Sequence, residues 1–333
     1  MTIPPPLRHL RTVKFIPTIE PESICNQGWD VHIVSFGQAA SPGVDHFNTG
    51  FVHAWGRDWL ITRRSEYDPK IRIGHNSMMA FGLTDFKPMV GYKLRPHTIA
   101  QGKEHHEDPR AIFDGEHAWI SCCNYVWDAA NNLWSGAHQA IFKFDKNWMC
   151  VQRFDPIYGN NIDKFPAVLG PEKNWLWFFH QGEIHMVYRT HPHAVVVFDK
   201  QLKYLRETAS EWDNSGWRYG QMRGGTPPVL HGGLYWSFFH SSIDKGAGEK
   251  RRYYMGAYCF EAKPPFKVVG YTEKPLLIGS KKDRWAIAKP ACIFCVGAAI
   301  RDGTWIITGG VNDFDTFLGK FPHAEIERRV IRI

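Results

Sequence analysis

The sequence predicts an all-β fold, a five-bladed β-propeller, and three observations carry that expectation. Aromatic residues make up 14% of the chain, with 14 Trp, 12 Tyr and 22 Phe, and such rings favour pleated strands over helices. A turn feeds a tryptophan-bearing apolar run five times. Gly56-Arg57-Asp58 precedes Trp59, Asp114-Gly115-Glu116 precedes Trp119, and Pro171-Glu172-Lys173-Asn174 precedes Trp175. His231-Gly232-Gly233 then precedes Trp236, and Arg301-Asp302-Gly303 precedes Trp305. These tryptophans recur at intervals of 60, 56, 61 and 69 residues. Each interval holds about four strands of about 5–6 residues plus turns, the content of one blade. Runs such as Trp175 to Phe179 and Leu234 to Phe239 lack the 3.6-residue period of a helical repeat. An irregular β-sandwich with accidental spacing is the competing architecture.

Taken in order, residues 1–29, with Pro4-Pro5-Pro6 and Pro17, read as an extended arm. The first strand is expected from Asp30 to Phe36. No Gly/Ser linker divides the remainder of the chain, so residues 30–333 form one propeller domain. The last strand, Glu325 to Ile333, is expected to pair with an early one and close the ring, because closure removes exposed strand edges. Side chains alternate across a strand, so Trp59, Ile61 and Arg63 share one face, and so do Trp236, Phe238 and His240. Both series end in a candidate anion ligand.

Composition narrows the function classes. A formal charge of +7 and a pI near 9.0 admit an anionic partner. The densest basic pairs, Lys281-Lys282 and Arg251-Arg252, make no stripe, so nucleic acid is not expected. No stretch approaches the roughly 20 apolar residues of a membrane span, and Met1 to Phe15 lacks the apolar core of a signal peptide. No membrane partner and a cytoplasmic location are therefore expected. Seven cysteines include the adjacent pair Cys122-Cys123, which suits a reducing compartment better than a disulfide framework. Cys292-Ile293-Phe294-Cys295 lies in an apolar run and reads as buried core. His105-His106, His185 and His191-Pro192-His193 lack the spacing of a zinc motif, so no metal is expected. Gly224-Gly225-Thr226 is not followed by G-K-[ST], and no G-x-S-x-G elbow occurs. The aromatic content also suits stacking on sugar faces.

Glu107-Asp108-Pro109-Arg110 is the sharpest local feature. Two adjacent carboxylates in unlike surroundings can serve as acid and as stabilising anion. From spacing alone, a turn with a surface ion pair is the first reading of the same four residues.

Together with Gly225-Thr226-Pro227-Pro228, Gly233-Leu234, Phe239-His240 and Tyr254-Met255-Gly256-Ala257, that tetrapeptide resembles the ordered E-D-P-R, G-x-P-P, Y-H-G and Y-x-x-G-A segments of glycoside hydrolase family 130. Gly297 through Asp313 is similar to that family's last G-A-A-D stretch. The resemblance runs from about residue 57 to residue 315. It implies a five-bladed propeller acting on β-mannosides by inverting phosphorolysis or by hydrolysis. It makes Asp108 the general acid, and Arg63, Lys173, Arg189 and His240 the phosphate ligands. Asn76, Glu107, Arg110, Tyr254, Asn312 and Asp313 become the substrate-binding residues. The implied partners are an oligosaccharide or glycoside and inorganic phosphate as co-substrate, with no other cofactor; a homo-oligomer stays open. Such chemistry needs a proton donor on one side of the sugar and cations holding phosphate on the other. The chain departs from the family at Phe239-His240-Ser241, at Thr308 to Asp313 and at Lys173-Asn174-Trp175. Those departures leave open hydrolysis with Glu107, Glu172 or Glu183 as base, glycosyl transfer, or a silent sugar-binding propeller.

Overall fold

The computed structural model describes residues 12–14, 29–34, 44–68, 73–85, 87–94, 104–128, 133–134, 138–156, 158, 173–243, 251–279, 291–313 and 315–333. Their strands form five antiparallel sheets, the blades of a β-propeller. Glu172, Phe36 and Lys281-Lys282 lie outside the described residues.

The first blade runs Val44–Ala54, Arg57–Asp68, Ile73–Thr84 and Lys87–Lys93 from the inside outwards. The second runs Glu104–Phe113, Ala118–Asp128, His138–Phe144 and Cys150–Phe154, and the third runs Leu176–His180, Glu183–Arg189, His193–Phe198 and Tyr204–Ser210. In the fourth, the short strands Arg223–Gly224 and Val229–His231 pair with Leu234–Ile243, followed by Arg252–Glu261 and Val268–Thr272. The fifth holds Ile293–Arg301, Thr304–Val311 and Asp315–Pro322.

Closure differs from the expectation. The outer part of the fifth blade is supplied by the chain's beginning: Asp30–Val34 pairs with Asp315–Pro322, His32 opposite Leu318. Thr12–Lys14, inside the expected arm, pairs in turn with Asp30–Val34. The last strand, Val330–Arg332, joins the fourth blade instead, with Ile331 opposite Tyr271. The cause is the short helix His323–Glu327, which buries Ile326 between the fourth and fifth blades and turns the chain away from its own sheet.

The blades are held by the alternation read from the sequence. Trp59 and Ile61 pack with Ala111, Ile120 and Phe142 of the second blade. Trp236 and Phe238 pack with Ile293 and Trp305 of the fifth. Each such side chain contributes about 1.5–3 kcal/mol on burial. Four of the five rhythmic tryptophans fall on the second strand of their blade, whereas Trp175 stands just before the first strand of the third. There the hairpin turn is Gln181-Gly182, and Glu183 comes directly after it.

Near the axis the inner strands touch through their backbones. A Cβ on Gly50 would lie 2.3 Å from the Pro109 carbonyl oxygen, so only glycine lets the first blade approach the second here. Among the described residues no helix is long and apolar enough to cross a membrane.

Candidate active site

The Glu107-Asp108-Pro109-Arg110 segment is neither a turn nor a surface ion pair. It lies in the innermost strand of the second blade, where Glu107 pairs with Cys123 and Arg110 with Ser121, leaving Asp108 and Pro109 together as a bulge. Bulges re-aim side chains beside functional sites. Asp108 takes a φ of 55°, a conformation that Asp tolerates better than most residues. Its side chain is nearly buried.

Three strands of the first blade converge on this bulge. Asn48, at a φ of 47° in a bulge of the inner strand, donates its Nδ2–H to Asp108 Oδ1 at 2.7 Å. Arg63, from the second strand, donates Nη2–H to Glu107 Oε1 at 2.7 Å and places Nη1 3.7 Å from Asp108 Oδ1. Its guanidinium also lies over the Phe47 ring. Asn76, from the third strand, donates Nδ2–H to the same Glu107 oxygen at 3.1 Å. The shared face predicted for Trp59, Ile61 and Arg63 thus carries Arg63 to the second blade, beyond the apolar pair.

Two more elements complete the cluster. Asp313, in the turn after Thr304–Val311, is near enough to act electrostatically on both Arg63 and Glu107. Lys173, just before the third blade, holds its ammonium 5.2 Å from the centre of the Tyr125 ring and acts on Glu107. Burial pushes the Glu107 carboxyl above the ordinary carboxylate range; Arg63 opposes this, and Asp108 reinforces it. Burial works against the Arg63 cation, but Glu107, Asp108 and Asp313 more than offset it, and its affinity for the proton rises. Both partners of one ion pair therefore shift upward. Burial is the main cause for Glu107, and three carboxylates around one guanidinium are the cause for Arg63.

Arg110 lies behind the bulge, buried, and its donors go to protein groups. Nε–H is given to the Gly225 carbonyl at 2.7 Å, Nη1–H to the Asp108 carbonyl at 3.1 Å, and Nη2–H to Asn174 Oδ1 at 3.1 Å. It ties the bulge to the third and fourth blades. His240 sits behind it on the seam between the fourth and fifth blades, 4.3 Å from the Phe294 ring centre. Burial, with Arg223 and Arg110 adding to it, keeps its imidazole far below its usual proton affinity, and Nδ1 has no protein partner. Asn312 Oδ1 accepts the Cys292 backbone N–H at 2.8 Å, anchoring the turn that carries Asp313. Tyr254 packs against Tyr219 in an aromatic cluster. Arg189 is half-exposed, with Glu207 at 4.0 Å on the outer strand of its own blade. Glu183 stands at the far end of the third blade, paired with Arg206.

The structure therefore brings Arg63, Asn76, Glu107, Asp108, Lys173 and Asp313 together. It sets Arg110, His240 and Asn312 behind them, while Arg189 and Tyr254 make their contacts elsewhere, with Glu207 and Tyr219. Sequence reasoning missed Asn48, Tyr125 and Asn174. Asn48 had a signal, since an Asn just ahead of Gly50 suits a left-handed bulge residue.

The propeller thus presents carboxylates, a guanidinium and an ammonium around one bulged inner strand, groups of the kind that bind hydroxylated or anionic ligands. No family model matches the chain. It is 22% identical over 281 residues to the 1,2-beta-oligomannan phosphorylase of Thermoanaerobacter sp. (strain X514), covering 82% of this chain and 88% of that protein. The fold is similar to the beta-1,2-mannobiose phosphorylase of Listeria innocua solved with beta-1,2-mannobiose (TM-score 0.61, 15% identity, 86% of this chain and 93% of that one). It is also similar to the mannose phosphorylase of Leishmania mexicana solved with a phosphate ion (TM-score 0.57, 13% identity, 88% of each chain). In fold the chain is similar to these phosphorylase propellers, and the order of its motifs resembles that of glycoside hydrolase family 130.

Proposed function

We propose that this protein is a carbohydrate-active enzyme, an inverting glycoside phosphorylase acting on β-mannosides, with Asp108 as general acid. The observation that carries the reading is Asp108 itself. It is nearly buried on a bulge, aimed by Asn48 and flanked by Arg63, at the position the E-D-P-R resemblance assigns to the acid. In the reaction a phosphate oxygen attacks the anomeric carbon as its bond to the glycosidic oxygen breaks. The electron pair of that bond goes to the leaving oxygen, which receives the Asp108 proton through a hydroxyl of the bound sugar. Lys173 supplies a point charge for phosphate, and Asp313 supplies an acceptor for sugar hydroxyls.

The two described carboxylates open to a hydrolytic role, Glu107 and Glu183, support this choice by where they lie. Glu107 is engaged by Arg63 and Asn76, and Glu183 stands at the far end of the third blade. Neither is placed to activate a water opposite Asp108. The test is incubation with β-1,2-mannobiose, with and without inorganic phosphate. Phosphate-dependent release of mannose 1-phosphate is expected; release of free mannose alone, at a rate indifferent to phosphate, would assign hydrolysis instead.

A further inference from the structure

We propose that Asn48 is a positioning residue for Asp108, and that it selects which carboxyl oxygen carries the proton. This rests on the general-acid reading of Asp108. Asn48 is buried, and its Nδ2–H reaches Oδ1 at 2.7 Å, while Arg63 Nη1 lies on the same oxygen at 3.7 Å. The Asn48 N–H occupies Oδ1 and the Arg63 charge lies beside it, and both disfavour a hydrogen on that oxygen. Among the described residues no hydrogen bond falls on Oδ2, so Oδ2 holds the proton. On transfer the Oδ2–H bond breaks, the proton moves to the substrate oxygen and the electron pair stays on the carboxylate. The new charge is spread towards Asn48 and Arg63 through Oδ1.

What fixes Asn48 is the fifth blade. A Cβ on Gly310 would fall 1.9 Å from Asn48 Oδ1 and 2.8 Å from its backbone nitrogen. The amide is thus wedged between a strand of the fifth blade and the bulge of the second. Gly310 thereby becomes part of the site's geometry. Nothing larger than glycine at 310 leaves the Asn48 side chain where it is.

The inference is tested on the full chain with Asn48→Ala, Asn48→Asp and Gly310→Ala. The Asp108 carboxyl is followed by 13C NMR titration, and turnover is measured with β-1,2-mannobiose and inorganic phosphate. A donor on the ionised carboxylate favours that form, so Asn48→Ala should move the Asp108 titration midpoint upward by about one pH unit. It should lower kcat about 10²-fold with little change in KM, the signature of a misplaced group. Asn48→Asp keeps the shape but loses the N–H, so at neutral pH it should be as impaired as Asn48→Ala; a merely structural role predicts near-normal kcat. This isosteric variant also serves if the alanine variant does not fold. Gly310→Ala should lower kcat without removing a polar group. An unmoved midpoint together with near-normal kcat in Asn48→Ala overturns the inference. A moved midpoint in a protein that makes no sugar phosphate keeps the Asn48–Asp108 assignment and removes the phosphorylase reading.

Discussion

Glu107 and Asp108 are neighbours in the chain, yet the bulge gives them different partners. Glu107 is gripped through Oε1 by Arg63 and Asn76, while Asp108 keeps Oδ2 open. On the proposed reading, that division gives the proton-transfer role to Asp108 and the electrostatic role to Glu107. Asp108→Asn keeps the shape and removes the acid, so kcat should fall about 10²–10⁴-fold with the fold intact, checked by steady-state kinetics beside circular dichroism. Arg110 belongs to the same tetrapeptide but acts on stability. Its Nε and both terminal nitrogens serve the Gly225 and Asp108 carbonyls and the Asn174 side chain. Arg110→Ala strands those acceptors and should cost about 3 kcal/mol or more in urea unfolding. Arg110→Lys should recover little of it, since an ammonium cannot reproduce the planar fork.

At the scale of strands, the site depends on how closely inner strands approach. Gly50 lets the first blade rest on the Pro109 carbonyl, one residue from Asp108. Gly50→Ala must push the bulge aside, and a loss of about 1–3 kcal/mol is expected with a parallel fall in kcat. A variant that loses stability but keeps full kcat would show that the bulge moves without Asp108. This scale also marks what the sequence could reveal. Alternation placed Trp59, Ile61 and Arg63 on one face correctly, because period-2 geometry is local. His240 followed the same rule from Trp236 and Phe238, but its face meets the fifth blade and ends in burial beside Phe294. Which neighbour a face meets is a matter of ring order, which no local pattern encodes. Arg189 shows the same limit, drawn to Glu207 by an outer strand that no spacing rule connects to it. Asn48 stayed hidden because its role exists only when bulges from two blades and a glycine from a third meet.

The ring as a whole is closed by a strand from the chain's beginning. Removing residues 1–34 takes Asp30–Val34 off the fifth blade and exposes what Val31 and Val34 cover. That truncation should lose about 3 kcal/mol or more, seen as a lower urea midpoint. The molecule is also vulnerable to acid, for a reason distributed over several blades. Burial holds the imidazoles of His46 and His106 down to about 3, and those of His185 and His193 down to about 4. An unfolded chain accepts protons on these rings near pH 6.5. Below that pH the unfolded state binds protons that the folded state refuses, so stability falls with pH. Each ring can subtract up to about 1.4 kcal/mol per pH unit until its folded value is reached. Glu107, shifted upward by burial, works in the opposite sense near the carboxylate range, but it is one group against seven histidines held down, His180, His240 and His323 among them. Unfolding free energy from urea melts at constant ionic strength should therefore be nearly level around pH 7 to 8 and fall steeply between pH 6.5 and 4. His185 packs against Phe178 and Phe266, so His185→Phe removes a titrating ring from an aromatic cluster. It should flatten that slope by roughly a seventh; an unchanged slope would mean that His185 takes up its proton inside the folded protein.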